Sequence, residues 1–264
     1  MQLFDTHSHL QDERLQPHLR LVLDRARQAG VSAVLCCGSA ESDWPAVREL
    51  AARYAWVRPA FGLHPWYVLD RSPGWLVTLR HLLAEAPAAI GEIGLDHALE
   101  PETFPAQEEV FVAQLQLAHE LGRPVSVHCR QAWGRMLELL DLHGVPPAGL
   151  VFHSFSGARD LVPLLVERGA HFSFSGTITR PRNRRGREAA AVVPQERLLI
   201  ETDAPDLPAL LGPDVPVLRD ADGQLLSEPA HLTCVLRAVA DLRGLAPETL
   251  AASLWENSRR LFGI

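Results

Sequence analysis

The strongest constraint on this chain is a rhythm. Eight short runs of apolar, often β-branched residues (Leu3–His7, Ala33–Gly38, Val57–His64, Ala88–Leu95, Pro124–Arg130, Gly149–Phe155, His171–Ser175 and Leu198–Asp203) alternate with stretches of helical character. A strand followed by a helix, repeated, is the pattern of a parallel sheet, because parallel neighbours need a long crossover and a helix supplies it. Eight repeats in 264 residues fit the α/β class and, within it, a (β/α)8 TIM barrel forming a single domain over residues 1–264.

The intervening stretches carry apolar residues at three- and four-residue steps, as in Phe111, Leu115, Ala118 and Leu121, which suits helices packed outside a barrel. Gly122 and Pro124 end that helix. The segment from Pro205 to Pro229 is rich in Pro, Asp and Gly and reads as a long loop after the eighth strand, of the kind that is functional or mobile. Two helices follow from Glu228 onward, the second beginning near Pro247, a residue tolerated in a first turn.

Composition excludes several classes. No apolar run approaches the ~20 residues that span a bilayer, and the amino terminus has neither a basic nor an apolar signal region, so no membrane association and a cytoplasmic location are expected. Cys36, Cys37, Cys129 and Cys234 have no Cys-x-x-Cys spacing and read as buried, reduced thiols. A net charge of −7 argues against coating nucleic acid by general electrostatics, so any polyanion contact must be local. No obligate protein partner is evident.

Chemistry-bearing side chains recur where strands give way to loops. The first run ends in His7-Ser8-His9; the fourth carries Glu92 in GEIGLD; the fifth ends His128-Cys129-Arg130; the sixth ends in HSFSG from His153; the eighth ends Glu201-Thr202-Asp203. In a barrel these ends converge on one mouth. Alternate residues on a strand share a face, so His7 and His9 can address one ion. On that geometry His7, His9 and Asp203 are expected to hold one divalent ion, His128 and His153 a second, with Glu92 bridging. Imidazole and carboxylate donors without thiolate suit Zn2+ or Mn2+, with Mg2+ open to a site dominated by carboxylate and water. Each residue has a plainer reading, as a satisfied buried histidine or a helix cap; their recurrence at equivalent strand ends favours metal.

The motifs FDTHSH, GLHP, GEIGLD, HCR, HSFSG, GTITRPR and ETDAP, in this order from Phe4 to Phe262, resemble those of TatD-family hydrolases. The resemblance implies a metallo-dependent hydrolase barrel and a TatD-type deoxyribonuclease, an exonuclease acting on single strands. It makes the positions of His7, His9, Glu92, His128, His153 and Asp203 metal ligands. Ser8, Gln131 and Ser227 depart from the commoner pattern of Cys, Asp and Asn, and none of them is a proposed ligand.

Around that core, His64 and Arg130 are expected to contact substrate phosphate, the guanidinium fork of Arg130 being suited to phosphate oxygens. Asp5 and Glu201 are expected to orient histidines. Arg180, Arg182, Arg184, Arg185 and Arg187 put five arginines in eight residues after the seventh strand, where barrel loops often grip phosphate. Trp66, Trp133 and Phe155 are each open to base stacking or to the core. Asp203 and Glu92 are the expected catalytic carboxylates: Asp203 takes a proton from a water acidified by two divalent ions, and Glu92 sets their spacing. Two alternatives are a hydrolase of carboxylic esters, amides or aminoacyl-tRNA, which the arginine run disfavours, and a non-catalytic metal-binding interaction protein, which the intact ligand set disfavours.

Overall fold

The computed structural model describes residues 1–263. Eight strands, β1 (Leu3–Ser8), β2 (Val31–Cys37), β3 (Val57–Phe61), β4 (Ala89–Asp96), β5 (Val125–Arg130), β6 (Leu150–Phe152), β7 (Ala170–Phe174) and β8 (Leu198–Ile200), pair in parallel in sequence order. Past the ladder, β8 meets β1: the Asp203 amide donates to the His7 carbonyl at 3.0 Å and the His9 amide to the Ala204 carbonyl at 2.7 Å. The eight runs read from sequence are therefore the eight strands of a nearly closed barrel.

Helices α1 (Leu19–Gln28), α2 (Trp44–Arg53), α3 (Trp75–Glu85), α4 (Phe104–Leu121), α5 (Trp133–His143), α6 (Leu161–Glu167) and α7 (Arg184–Val192) return the chain between strands, followed by α8 (Leu232–Arg243) and α9 (Pro247–Phe262). Each buries an apolar stripe; in α4 this includes Phe111, Leu115 and Ala118, and the helix stops at Gly122, whose φ of 60° is left-handed. Helix α9 packs at the opposite end from the site: Phe262 meets Phe4 with ring centroids 5.5 Å apart, and with Trp255 it lies on Ala33, Leu35, Ala60 and Ala89. The segment after β8 is long, as expected, but tied down. It contains a two-strand ladder of Leu218–Arg219 with Leu225–Leu226, and the Leu210 amide donates to Thr179 Oγ1 at 2.8 Å.

Two strands break regular pairing where they approach the mouth. The register shifts between Asp5 and Ser8 on β1 and between Ile90 and Ile93 on β4. Such bulges re-aim side chains, and here the re-aimed residues include His7 and Glu92. Next to the second shift, Gly94 (φ 150°) lies so close to β5 that a Cβ would fall 1.9 Å from the His128 carbonyl oxygen. Gly94→Ala is expected to destabilise the protein by at least ~2 kcal/mol, seen as a lowered melting temperature. An unchanged melt would mean that β4 and β5 can separate freely here.

Candidate active site

The mouth is organised around one carboxylate. Glu92, buried on β4, presents Oε2 to His7 Nε2 at 3.2 Å and His9 Nε2 at 3.3 Å. Its other oxygen, Oε1, faces His64 Nε2 at 3.2 Å, His128 Nδ1 at 3.1 Å and His153 Nε2 at 2.7 Å. Asp203 Oδ1 approaches His7 and His9 Nε2 at 3.7 and 3.6 Å, and the His7 and His153 rings stack at 3.9 Å. The six residues read from sequence as ligands thus lie together, with His64 among them.

Burial opposes ionisation of Glu92, yet the charges of His153, His64 and His7 and the hydrogen bond from His128 outweigh it and hold its pKa well below the usual carboxylate range. Burial alone would also depress His9; the hydrogen bond and charge of Glu92, with Asp203, raise it to about 9. His64 goes the other way, to about 4, because burial and the neighbouring imidazoles His128 and His153 outweigh Glu92. In Asp203, burial raises the pKa against the pull of His153, His7 and His9.

The donor set fits divalent cations. His7 Nε2 and His9 Nε2 face each other at 3.2 Å, where neutral imidazoles would direct two lone pairs at one point. His7, His9 and Glu92 offer three donor atoms within 4.8 Å of one another, as do His7, His153 and Asp203, and also His64, Glu92 and His128. Five imidazoles around two carboxylates, without thiolate, is chemistry suited to zinc and manganese.

The far sides of two rings are held, as metal ligands require. His7 Nδ1 lies 3.0 Å from Ser126 Oγ and His9 Nδ1 lies 2.8 Å from the Cys37 carbonyl, while His153 Nδ1 faces Glu201 Oε1 at 3.5 Å without a hydrogen bond. Glu201 accepts from the Ser154 amide at 2.6 Å. Asp5 meets the backbone of His7 and no imidazole ring. The register shift breaks the alternation of β1, and Asp5 instead accepts from the amide and hydroxyl of Thr202, fastening β8 to β1. His153 and Asp203 lie beyond β6 and β8, which are shorter than the runs in the sequence; Ser154 (φ 41°) and Asp203 (φ 56°) take left-handed backbone to turn inward.

Three residues carry structure that sequence reasoning passed over. Asp96, the last residue of GEIGLD, is buried and accepts from Trp66 Nε1 at 2.8 Å while lying 3.2 Å from His128 Nε2. Burial opposes its charge, but His128, Trp66 and the Ala98 amide hold its pKa below the usual range. On α4, Gln107 bonds both the amide and the carbonyl of Asp96 at 2.8 and 3.1 Å, and Gln114 does the same for Leu63, beside His64, at 2.7 and 3.1 Å. Two polar residues on an otherwise apolar helix face, seven apart, were the available signal.

The substrate-side candidates separate. His64 is buried; its Nδ1 accepts from the Trp66 amide, which leaves the proton on Nε2 to donate to Glu92, so it braces that carboxylate more than it faces the open mouth. Arg130 is exposed at the rim, 4.0 Å from Asp96. Arg180, Arg182, Arg184 and Arg185 are exposed, whereas Arg187 is half-buried and donates to the Ile178 carbonyl. Arg184 and Arg185 open helix α7 instead of lying in a loop; Asn183 caps it by accepting from the Gly186 amide. Arg180 donates to the Pro208 carbonyl at 2.8 Å, bridging the loops after β7 and β8.

An eight-stranded parallel barrel with imidazoles and carboxylates convergent at its C-terminal mouth defines a metal-dependent hydrolase. More particularly, the family model described as TatD related DNase matches residues 4–263, and the chain belongs to that family. It is 39% identical over 254 residues to the Citrobacter koseri protein named 3'-5' ssDNA/RNA exonuclease TatD, covering 92% of each. It is 30% identical over 263 residues, 99% of each, to the Bacillus subtilis protein named uncharacterized metal-dependent hydrolase YabD. The solved structure of YJJV, a TatD homologue from Escherichia coli k12, superposes with a TM-score of 0.89 at 30% identity, covering 99% of this chain and 98% of that one.

Proposed function

We propose that this chain, as one catalytic domain, is a divalent-metal-dependent nuclease that hydrolyses phosphodiester bonds, removing nucleotides from the 3' end of single-stranded DNA or RNA. The observation that carries it is the division of Glu92, one oxygen toward His7 and His9 and the other toward His64, His128 and His153. A carboxylate so divided suits a pair of Zn2+, Mn2+ or Mg2+ ions, held by His7, His9, Glu92, His128, His153 and Asp203. Such ions supply an acidified water and neutralise charge that develops on phosphorus.

The chain's own residues do the rest. Asp203 accepts the proton from the attacking water, and Glu201 keeps His153 turned inward. Asp96 fixes the His128 ring, and Arg130 meets substrate phosphate at the rim. Arg180, Arg182 and Arg184 give a net-acidic protein a local cationic path to a polyanion. No helix among the described residues is long and apolar enough to cross a membrane, and the four thiols are free. We place the protein in the cytoplasm, where reduced thiols persist.

The test is digestion of end-labelled single-stranded DNA by metal-reconstituted protein, with His128→Ala as the inactive control. The expected product is a one-nucleotide ladder shortened from the 3' end. DNA left intact under every metal, alongside turnover of carboxylic esters, would transfer the assignment to carbon centres. Exchanging Arg184 and Arg185 for Ser should weaken single-strand binding and make the slope of log K against log salt shallower by about 1.4, at about 0.7 per lost phosphate contact. Cleavage of a small ester should be unchanged; equal losses on both substrates would show that the arginines do not grip the backbone.

A further inference from the structure

Of the three aromatic side chains open to base contact, the structure withdraws two. Phe155 is buried, and the Trp133 ring packs edge-on against Phe152 and Phe155 with centroids 5.3 and 4.9 Å away. Trp66 is different. It lies in the short turn Pro65–Tyr67 directly after His64, and 54% of it is exposed. Single exposed aromatics are common and mean little alone. This one is fixed: its indole N–H donates to buried Asp96 at 2.8 Å, its amide donates to His64 Nδ1 at 3.1 Å, and its ring stands edge-on to His64 with centroids 5.1 Å apart at 88°. The indole edge is anchored to Asp96 and the backbone to His64, the two residues that flank His128, while more than half of the residue remains open to solvent. Exposed Arg130 approaches the same Asp96 oxygen, Oδ2, at 4.0 Å.

We propose that Trp66 is a stacking platform for a nucleobase adjoining the bond to be cut, and that it makes the site prefer base-bearing single strands over a bare sugar-phosphate backbone. The proposal deepens the nuclease reading and rests on it. An indole face is complementary to any base, so recognition is tolerant of sequence. Inside a duplex the faces of a base are covered by its stacked neighbours, so a base must be unstacked or terminal to use the platform. A ring pinned through its N–H has little rotational freedom to lose on stacking, which favours binding. With the ring two residues from His64 in sequence and edge-on to its imidazole, a stacked base would hold its own phosphate at the donor cluster. Trp66 is thus a specificity-determining residue, distinct from those that hold ions or move protons.

The experiment is fluorescence anisotropy with metal-loaded protein in an Asp203→Asn background that slows cleavage. A short labelled single strand is compared with an abasic backbone of equal length and charge. Trp66→Leu is expected to weaken binding of the base-bearing strand roughly tenfold, within the range for loss of one stacked base, and to leave abasic binding unchanged. Trp66→Phe, which keeps a smaller π-face and loses the N–H anchor to Asp96, should recover part of the affinity on the base-bearing strand. In the otherwise wild-type enzyme the same change should appear in KM, with kcat within about twofold. Equal weakening on both strands would assign Trp66 to holding Asp96 and overturn the platform; so would no weakening on either. The nuclease reading fails separately: wild-type protein that shows the base-dependent Trp66 effect on binding but cuts neither strand would retain the platform and lose the activity.

Discussion

Replacing Glu92 by glutamine is expected to lower turnover at least ~10^3-fold and to reduce the metal content of the purified protein at the same time. The reason is the division of the carboxylate. Glutamine keeps one acceptor oxygen but turns the other position into an NH2 group, which only donates. One of the two imidazole sets, either His7 with His9 or His64 with His128 and His153, then faces hydrogens instead of a lone pair. A cation on that side loses its negative partner, and several kcal/mol of charge stabilisation in the transition state go with it; about 4 kcal/mol corresponds to ~10^3 in rate. Steady-state kinetics and elemental analysis of the same preparation check this. Full metal content with turnover within tenfold of wild type would remove Glu92 from its bridging position. Glu92→Asp should fall between, because a side chain one methylene shorter cannot reach both sets.

Much of this site was legible because two periodicities coincide. Each strand announces itself by a short apolar run, and a barrel sends every strand end to one mouth, so the sequence alone brings His7, Glu92, His128, His153 and Asp203 together. What was not legible depended on departures from regularity. Strict alternation along β1 puts Asp5 on the histidine face; the register shift before Ser8 sends it to Thr202. The sixth and eighth runs look like strands through Phe155 and Asp203, but the ladders stop at Phe152 and Ile200, and left-handed backbone at Ser154 and Asp203 makes the inward turn. A single sequence carries no mark for either event. His64 looked like a phosphate contact because nothing local shows that its Nε2 meets Glu92, and Asp96 was hidden within a motif whose glutamate drew the attention. The arginine run reads as a loop because it follows the seventh strand of a barrel, although Asn183, three residues before Gly186, is a helix cap.

Asp203→Asn is expected to separate chemistry from metal binding, lowering kcat by roughly 10^2- to 10^4-fold, the usual contribution of a positioned base, with metal content near that of wild type. Asparagine retains an oxygen where Oδ1 faces His7 and His9, so a donor atom survives, but an amide cannot take up a proton at neutral pH. The position is well held. The Asp203 amide donates to the His7 carbonyl and its carbonyl accepts from the Asp206 amide at 2.7 Å, so the substitution changes the group without moving the backbone. At 7% exposure the carboxylate is reachable from the mouth by a water molecule while remaining among imidazoles. Without an internal base, hydroxide from bulk solvent must supply the nucleophile, so the residual rate of the variant should climb with pH where the wild type is level. Single-turnover cleavage across pH, with metal content measured on the same samples, decides the matter. A variant that turns over normally would show that the proton leaves by another route, and one that loses its ions would show that Asp203 acts first as a ligand.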